Sequence, residues 1–135
     1  MYVLSHSLGV DTLTNSFMNI QIGLGIAAVV GHIYPIFAKF KGGKGVATTL
    51  GVVIALDPIS AFSCMAVFVV VLLVSRIVSV SSMIAAITFP IFVIFVYNSS
   101  YISLIVFSII MSALIIITHK KNIIRLMNGE ESKVF

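Results

Sequence analysis

Charge is scarce in this chain. Of 135 residues, 9% are Asp, Glu, Lys or Arg against 60% hydrophobic, and the mean hydropathy is +1.22. Soluble domains carry about 25% charged and roughly 45–50% apolar residues. A water-soluble fold of this composition would leave broad apolar surfaces uncovered, so the chain is an integral membrane protein. Acid is scarcer still: Asp11, Asp57, Glu130 and Glu131 are all there is. With no paired histidines or cysteines beside them, nothing suits a metal ion. The single cysteine, Cys64, lies in an apolar run. It cannot form an intrachain disulfide and reads as a small core residue. No serine or cysteine stands beside a base in the manner of an activated nucleophile. No basic stretch precedes an apolar core at the N-terminus, so no cleavable signal peptide is expected. Internal repeats and low-complexity segments are also missing.

What is present is a series of apolar segments with punctuation between them. Met1–Ser16 is mixed and reads as a loop. Within it, His6 and Asp11 hold a spacing at which an aspartate can orient a histidine as a base; with no companion motif after them they read as solvated. Phe17–Phe37 is the first span, with Gly23, Gly25, Ala27, Ala28 and Gly31 giving a small face for close helix packing. Near its end His32 reads as a helix-end residue bonded to a neighbouring carbonyl. Val46–Leu56 is apolar but reaches only about 16 Å as a helix, half of a bilayer core. Asp57-Pro58 then signals a turn. Ile59–Ser75, Val78–Val96 and Tyr101–Thr118 follow as spans, with Pro90 expected to kink the second of these. Residues 122–131 suggest a short amphipathic interfacial helix ended by Gly129. The expectation is an all-α, polytopic helical bundle of about five membrane segments, one of them short, forming a single membrane domain over residues 1–135.

The net charge of +4 is written into membrane topology rather than into a nucleic-acid surface. Counting crossings alternately, with Val46–Leu56 as one, puts all eight Lys and Arg residues on one side. By the positive-inside rule that side is cytoplasmic. Three polar clusters share it. The first is Lys39, Lys41, Gly42, Gly43, Lys44 and Gly45. The second is Arg76 with Ser79, Ser81 and Ser82, where the serines could also cap the helix that starts near Val78. The third is His119, Asn122, Arg125, Asn128 and Glu130. Glycines free backbone N–H groups to face a ligand and Lys44 adds a point charge, a design for phosphate. The loop is not a nucleotide P-loop, because Gly45 rather than Ser or Thr follows Lys44 and no strand precedes it. His119 and Asn122, three apart, share a helix face.

Gly31-His32-x-x-Pro35-x-Phe37-x-x-Phe40-x-Gly42-Gly43-Lys44-Gly45-Val46-Ala47-Thr48 closely resembles the second signature motif of the bacterial acyl-phosphate:glycerol-3-phosphate acyltransferases. Arg76-x-x-Ser79-x-x-Ser82 resembles their third. His119-x-x-Asn122-Ile123-x-Arg125-Leu126, with Asn128-Gly129-Glu130-Glu131-Ser132-Lys133 after it, is similar to the family's ending. The resemblance runs from about Gly23 to the C-terminus. Family members also carry an N-terminal span and a G-S-G-N-type motif that this sequence does not contain, so the chain resembles the C-terminal two-thirds of the fold, an N-terminally truncated member.

The resemblance implies transfer of a fatty acyl group from acyl phosphate to glycerol 3-phosphate, giving lysophosphatidic acid and phosphate. It implies a multi-pass protein of the bacterial cell membrane with its site on the cytoplasmic side. Gly42, Gly43, Lys44 and Gly45 would cradle a phosphate, with Ser79, Ser82 and Arg125 as further binding groups. His119 and Asn122, together with Lys44, would be the catalytic set. The acyl chain would lie between spans. Acyl phosphate is already activated, so no cofactor is implied. Two alternatives stay open: an inactive remnant of that enzyme, or a small membrane transporter subunit. Transport usually places ionisable groups inside the spans, whereas here they stand at the ends.

Overall fold

No proline or glycine stands between Val10 and Ile22, and nothing there interrupts a helix. Helix α1 runs over Val10–Ile33, starting well before the expected Phe17 because the polar residues from Asp11 to Ser16 continue the same spiral. At 1.5 Å per residue it is about 36 Å long, more than a bilayer core needs. It ends two residues before Pro35 rather than at Phe37, since the residue before a proline is driven out of the helical region. A 3₁₀ turn follows at Ile36–Ala38. The computed structural model describes residues 10–38 and 42–135, with residues 10–15 and 38 described by backbone alone. His6, Lys39, Lys41 and the side chain of Asp11 lie outside the described residues.

Helix α2, Val46–Leu56, is the short apolar segment with the expected bounds. One residue, Asp57, separates it from α3, Pro58–Ser75. Pro58 occupies the first helical turn, where its missing N–H costs nothing. The Asp57 carboxylate accepts from the Ser60 backbone N–H at 3.3 Å and from the Ser60 hydroxyl. Arg76 ends α3 in a left-handed conformation with φ 61°. Helix α4 covers Val78–Ile91 and passes into a π-helical segment at Phe92–Val96. The irregularity expected at Pro90 therefore appears two residues later, as a widened turn closed by the Tyr97 N–H on the Phe92 carbonyl at 2.8 Å. Proline removes one ladder bond of the helix. Helix α5 is Ile102–Thr118, and α6, Lys120–Met127, leaves it at 55°.

Among the described residues every regular element is helical. The Ser16–Ile33 stretch of α1, α3 and the Val78–Val96 run are each long and apolar enough to cross a membrane. A fourth crossing is reached if the bent α5–α6 pair counts as one, and α2 is the short remainder. Helices α3, α4 and α5 pack in sequence, with α2 between α1 and α3. The core is thin: Val29, Val53, Ala61, Phe89, Val93, Leu104, Phe107 and Met111. Phe89 and Phe107 meet edge to face, 6.3 Å between centroids at 84°, the arrangement their quadrupoles favour. Outward, Leu24, Phe62, Val70, Leu73, Phe95 and Ile109 are exposed, which only a lipid surround tolerates. Cys64 is buried and free.

The small face expected on α1 narrows to one position. A Cβ on Gly25 would overlap the Val52 side chain of α2, while one on Gly23 or Gly31 would meet nothing. Val52 is β-branched and stiff. Gly25→Ala should therefore cost about 1–3 kcal/mol by overpacking. Gly23→Ala should be neutral or stabilising by up to about 1 kcal/mol through helix propensity. Thermal unfolding of the two variants in detergent micelles separates them; equal effects would contradict this packing.

Candidate active site

Lys44 follows a backbone pressed onto the end of α1. The Gly43 N–H donates to the His32 carbonyl at 3.3 Å, and a Cβ on Gly43 would strike the His32 ring. Gly45 has φ 79°, a left-handed value open to glycine and strained for other residues. That turn starts α2, whose first N–H groups lack partners in their own helix. The loop is also held from across the bundle. The Thr118 hydroxyl, at the end of α5, lies 3.1 Å from the Lys44 carbonyl and shares its proton with the Ile115 carbonyl at 2.9 Å.

His119 is the hinge between α5 and α6 and is only 2% exposed. Its Nδ1 is 2.7 Å from the Ile115 carbonyl. A carbonyl only accepts, so Nδ1 carries the proton and donates, which leaves Nε2 of the neutral ring as an acceptor. Asn122, one turn on, is buried and donates from Nδ2 to Glu131 Oε1 at 2.5 Å. The Ser79 hydroxyl donates to the same oxygen at 2.6 Å. Glu131 gets there because Gly129 reverses the chain with φ 71° and the Glu130 N–H closes on the Arg125 carbonyl at 2.8 Å, a glycine-terminated helix end.

These groups surround a cavity of about 790 Å³. Its polar rim includes His32, Lys44, Ser79, His119, Asn122 and Glu131, and its walls are apolar, among them Val53, Ala61, Met65, Phe68, Phe89 and Met111. The cavity thus suits a molecule with an anionic head and an apolar tail. It brings together Gly43, Lys44, Gly45, Ser79, Ser82, His119 and Asn122 of the expected site. Gly42 and Arg125 are not among its lining residues. Arg125, six positions past His119, is exposed. Ser82 gives its proton to the Val78 carbonyl at 2.9 Å, so toward the cavity its oxygen acts as an acceptor. The serines do not cap α4: Ile77 holds the cap position with no side-chain bond.

Among the lining residues that had no expected role in the site, four bear on its chemistry. His32 packs its ring over Gly43 instead of serving only to finish its helix. Thr49 is 5% exposed and its hydroxyl is buried without a partner among the described residues. Glu131 and Lys133 arrive with the tail. A signal existed for Thr49, four residues after Gly45 and so on the face below the loop. Glu131 stands two residues after a helix-ending glycine. Among the described residues no group of three His, Cys, Asp or Glu side chains could hold a metal ion.

Electrostatics divide the rim. Burial pushes the His119 imidazole below its ordinary value; Lys44 adds to that, while the Ile115 bond and Glu131 oppose it. The bonds from Ser79 and then Asn122 hold the Glu131 carboxyl below the usual carboxylate range. At neutral pH the rim pairs a neutral histidine with an ionised glutamate.

The family model "Glycerol-3-phosphate acyltransferase" matches residues 2–129. A glycerol-3-phosphate acyltransferase of Salinibacter ruber is 45% identical over 122 residues, covering 87% of this chain and 53% of the relative. One from Prochlorococcus marinus is 44% identical over 128 residues, covering 90% of this chain and 63% of the relative. The chain thus spans little more than half the length of the curated relatives it matches. Among solved structures, the glycerol 3-phosphate form of PlsY (YgiH), an integral membrane glycerol 3-phosphate acyltransferase, is similar with a TM-score of 0.81 and 36% identity. That match covers 98% of this chain and 62% of the other. The lysophosphatidic acid form matches with a TM-score of 0.74 and 41% identity.

The His119 ring should titrate below about 6.5, the ordinary histidine value. Lys44→Met should raise its midpoint and Glu131→Gln should lower it, read from imidazole resonances in a pH series. Both shifts carry the same sign for stability. The unfolded chain binds more protons than the folded one below about 6.5 at His119 and again below about 4.5 at Glu131. Stability should therefore fall as pH drops through these ranges. A His119 midpoint at or above the ordinary value would contradict the neutral-ring assignment.

Proposed function

Because the chain belongs to the glycerol-3-phosphate acyltransferase family, we propose that it transfers a fatty acyl group from acyl phosphate to glycerol 3-phosphate. The observation that carries the reading is the two-natured cavity: a glycine–lysine loop, His119 and Asn122 at the rim, and apolar walls behind them. The names of the similar solved structures, a glycerol 3-phosphate form and a lysophosphatidic acid form, support the acceptor and the product. Acyl phosphate as donor rests on the resemblance of the loop motif and on its chemistry, since a mixed anhydride needs no further activation. In its apolar part the cavity holds the acyl chain, and at the rim the phosphates.

Two phosphate-bearing molecules in one site repel each other. At 4 Å, unit charges interact by about 1 kcal/mol in water and about 4 kcal/mol at an effective dielectric of 20. Lys44 and the backbone N–H groups at the start of α2 offset that repulsion. His119 Nε2 accepts a hydrogen bond from the 1-hydroxyl of glycerol 3-phosphate, and Asn122 fixes the acceptor beside it. The hydroxyl oxygen bonds to the acyl carbon, the bond from that carbon to the phosphate oxygen breaks, and the proton leaves with the phosphate. The chain would act as one domain in a bacterial cell membrane. A cytoplasmic rim is the reading that the positive-inside rule supports for a site bordered by Lys44 and Lys133, with Arg76 bonded to the same tail.

Lys44→Ala should lower kcat/KM by about 100-fold or more, and His119→Ala by roughly 10²–10⁴-fold. The readout is acyl-phosphate-dependent formation of lysophosphatidic acid, with phosphate released in equal amount. It is measured on membranes bearing this chain alone and on the chain extended at its N-terminus with a first span and motif taken from the family. Near-normal transfer by either variant removes its assigned role. Absence of transfer from both forms removes the reaction.

A further inference from the structure

Beyond Glu131 the chain stays with the site. It is pinned at two points, and the pins are only three residues apart. The first pin is the Glu131 carboxylate, bound by Ser79 at 2.6 Å and Asn122 at 2.5 Å. The second is Val134, whose N–H donates to the Arg76 carbonyl at 2.8 Å. Arg76 presents that carbonyl while holding φ 61°, an uncommon value for a residue with a side chain. Its guanidinium also lies 5.7 Å from the centre of the Phe135 ring, within reach of a cation–π contact. Between the pins stand Ser132 and Lys133, and both line the cavity.

Glu131 places a full negative charge on the rim of a site meant for anions. Among the described lining residues only Lys44 and Lys133 carry positive charge, and with Lys44 alone the rim would be neutral. Lys133 tips it positive. Its backbone is already ordered by the two pins, so binding costs only the freedom of its side chain. We propose that Lys133 is a phosphate-contacting residue of this site, delivered to the rim by a C-terminal strap, and that it grips the phosphate of the substrate together with Lys44. This rests on the reading of the cavity as a phosphate site. The strap also gives Glu131 a second purpose: besides holding Ser79 and Asn122 it sets where Lys133 enters.

The test uses the whole chain purified in detergent, with inorganic phosphate and glycerol 3-phosphate as probes and calorimetry as readout. Lys133→Ala should raise the Kd for both by about tenfold, the size of a lost charge-assisted bond, and Lys133→Arg should recover most of it. Val134→Pro keeps Lys133 but removes the anchoring N–H, and should weaken binding in the same direction. If Val134→Pro does not fold, the Lys133→Ala and Lys133→Arg pair decides. Unchanged Kd values for Lys133→Ala, beside a clear loss for Lys44→Ala, would overturn the role of Lys133 and leave the phosphate site standing. No binding by the unaltered chain, or no effect of Lys44→Ala, would remove the phosphate site and this inference with it.

Discussion

Inside a bilayer there is no water to satisfy a polar group, so each must find its partner within the protein. Most polar side chains of this bundle obey by turning on their own helix. Ser63, Ser81, Ser82 and Ser108 donate to carbonyls three or four residues back, as does Thr88. Asp57 accepts from the turn it starts, and Asn19 and Ser103 answer each other between α1 and α5. Among the described residues, the two buried side-chain atoms left without a partner belong to residues lining one cavity. His119 keeps an open Nε2, and Thr49 Oγ1 and Glu131 Oε2 are buried without partners among the described residues. A buried polar atom without a bond costs about 1–3 kcal/mol. That both line the same cavity, while the other buried side-chain atoms of the described residues are paired, fits a site in which a ligand supplies the missing bonds.

The short helix α2 makes this arrangement possible. A full-length span would carry its N-terminus to the membrane surface. An eleven-residue helix joined to α3 through a single residue is about half that length. The glycine loop then sits level with the end of α5, close enough for Thr118 to bond the Lys44 carbonyl. His119 is the next residue, so the same contact fixes the distance between loop and histidine. Glu131 does the equivalent work on the other wall, where one carboxylate oxygen joins α4 to α6.

What the sequence discloses is what local chemistry decides. Val46–Leu56 has its bounds because a left-handed glycine starts it and Asp57-Pro58 stops it, all within a few residues. The His119–Asn122 pairing follows from helical spacing. The start of α1 was not legible, because polar residues can extend a helix beyond the lipid as readily as form a loop. Nor was the choice of Gly25 over Gly23 and Gly31, which depends on where Val52 lies. The same holds for the rim. Ser79 and Ser82 read alike in the sequence, yet one reaches across to Glu131 and the other turns to its own helix. Arg125 reads in the sequence as one more phosphate-binding group, but it is exposed and outside the cavity lining, near enough to Glu131 only to favour that carboxylate's ionised form. Gly129 announces that the chain turns there, but that the turn delivers Glu131 to Ser79, 52 residues away, is a long-range fact that no window of sequence contains.

The rim's charge pattern explains how a carboxylate is compatible with the proposed phosphate site. A cluster of lysines alone would bind any anion and release it slowly. Glu131 lowers the net charge while spending its hydrogen bonds on Ser79 and Asn122, so it shapes the rim instead of competing for a cation. His119 stays neutral because burial and Lys44 both disfavour its charged form. In the proposed reaction the negative charge is already present on the substrates, and a phosphate must leave once the acyl group has moved. A rim only slightly positive holds that phosphate long enough to align the hydroxyl and still lets it go. Affinity beyond what the transition state requires would slow release without speeding the chemical step. The balance of two lysines and one glutamate is therefore better matched to turnover than a more basic site would be.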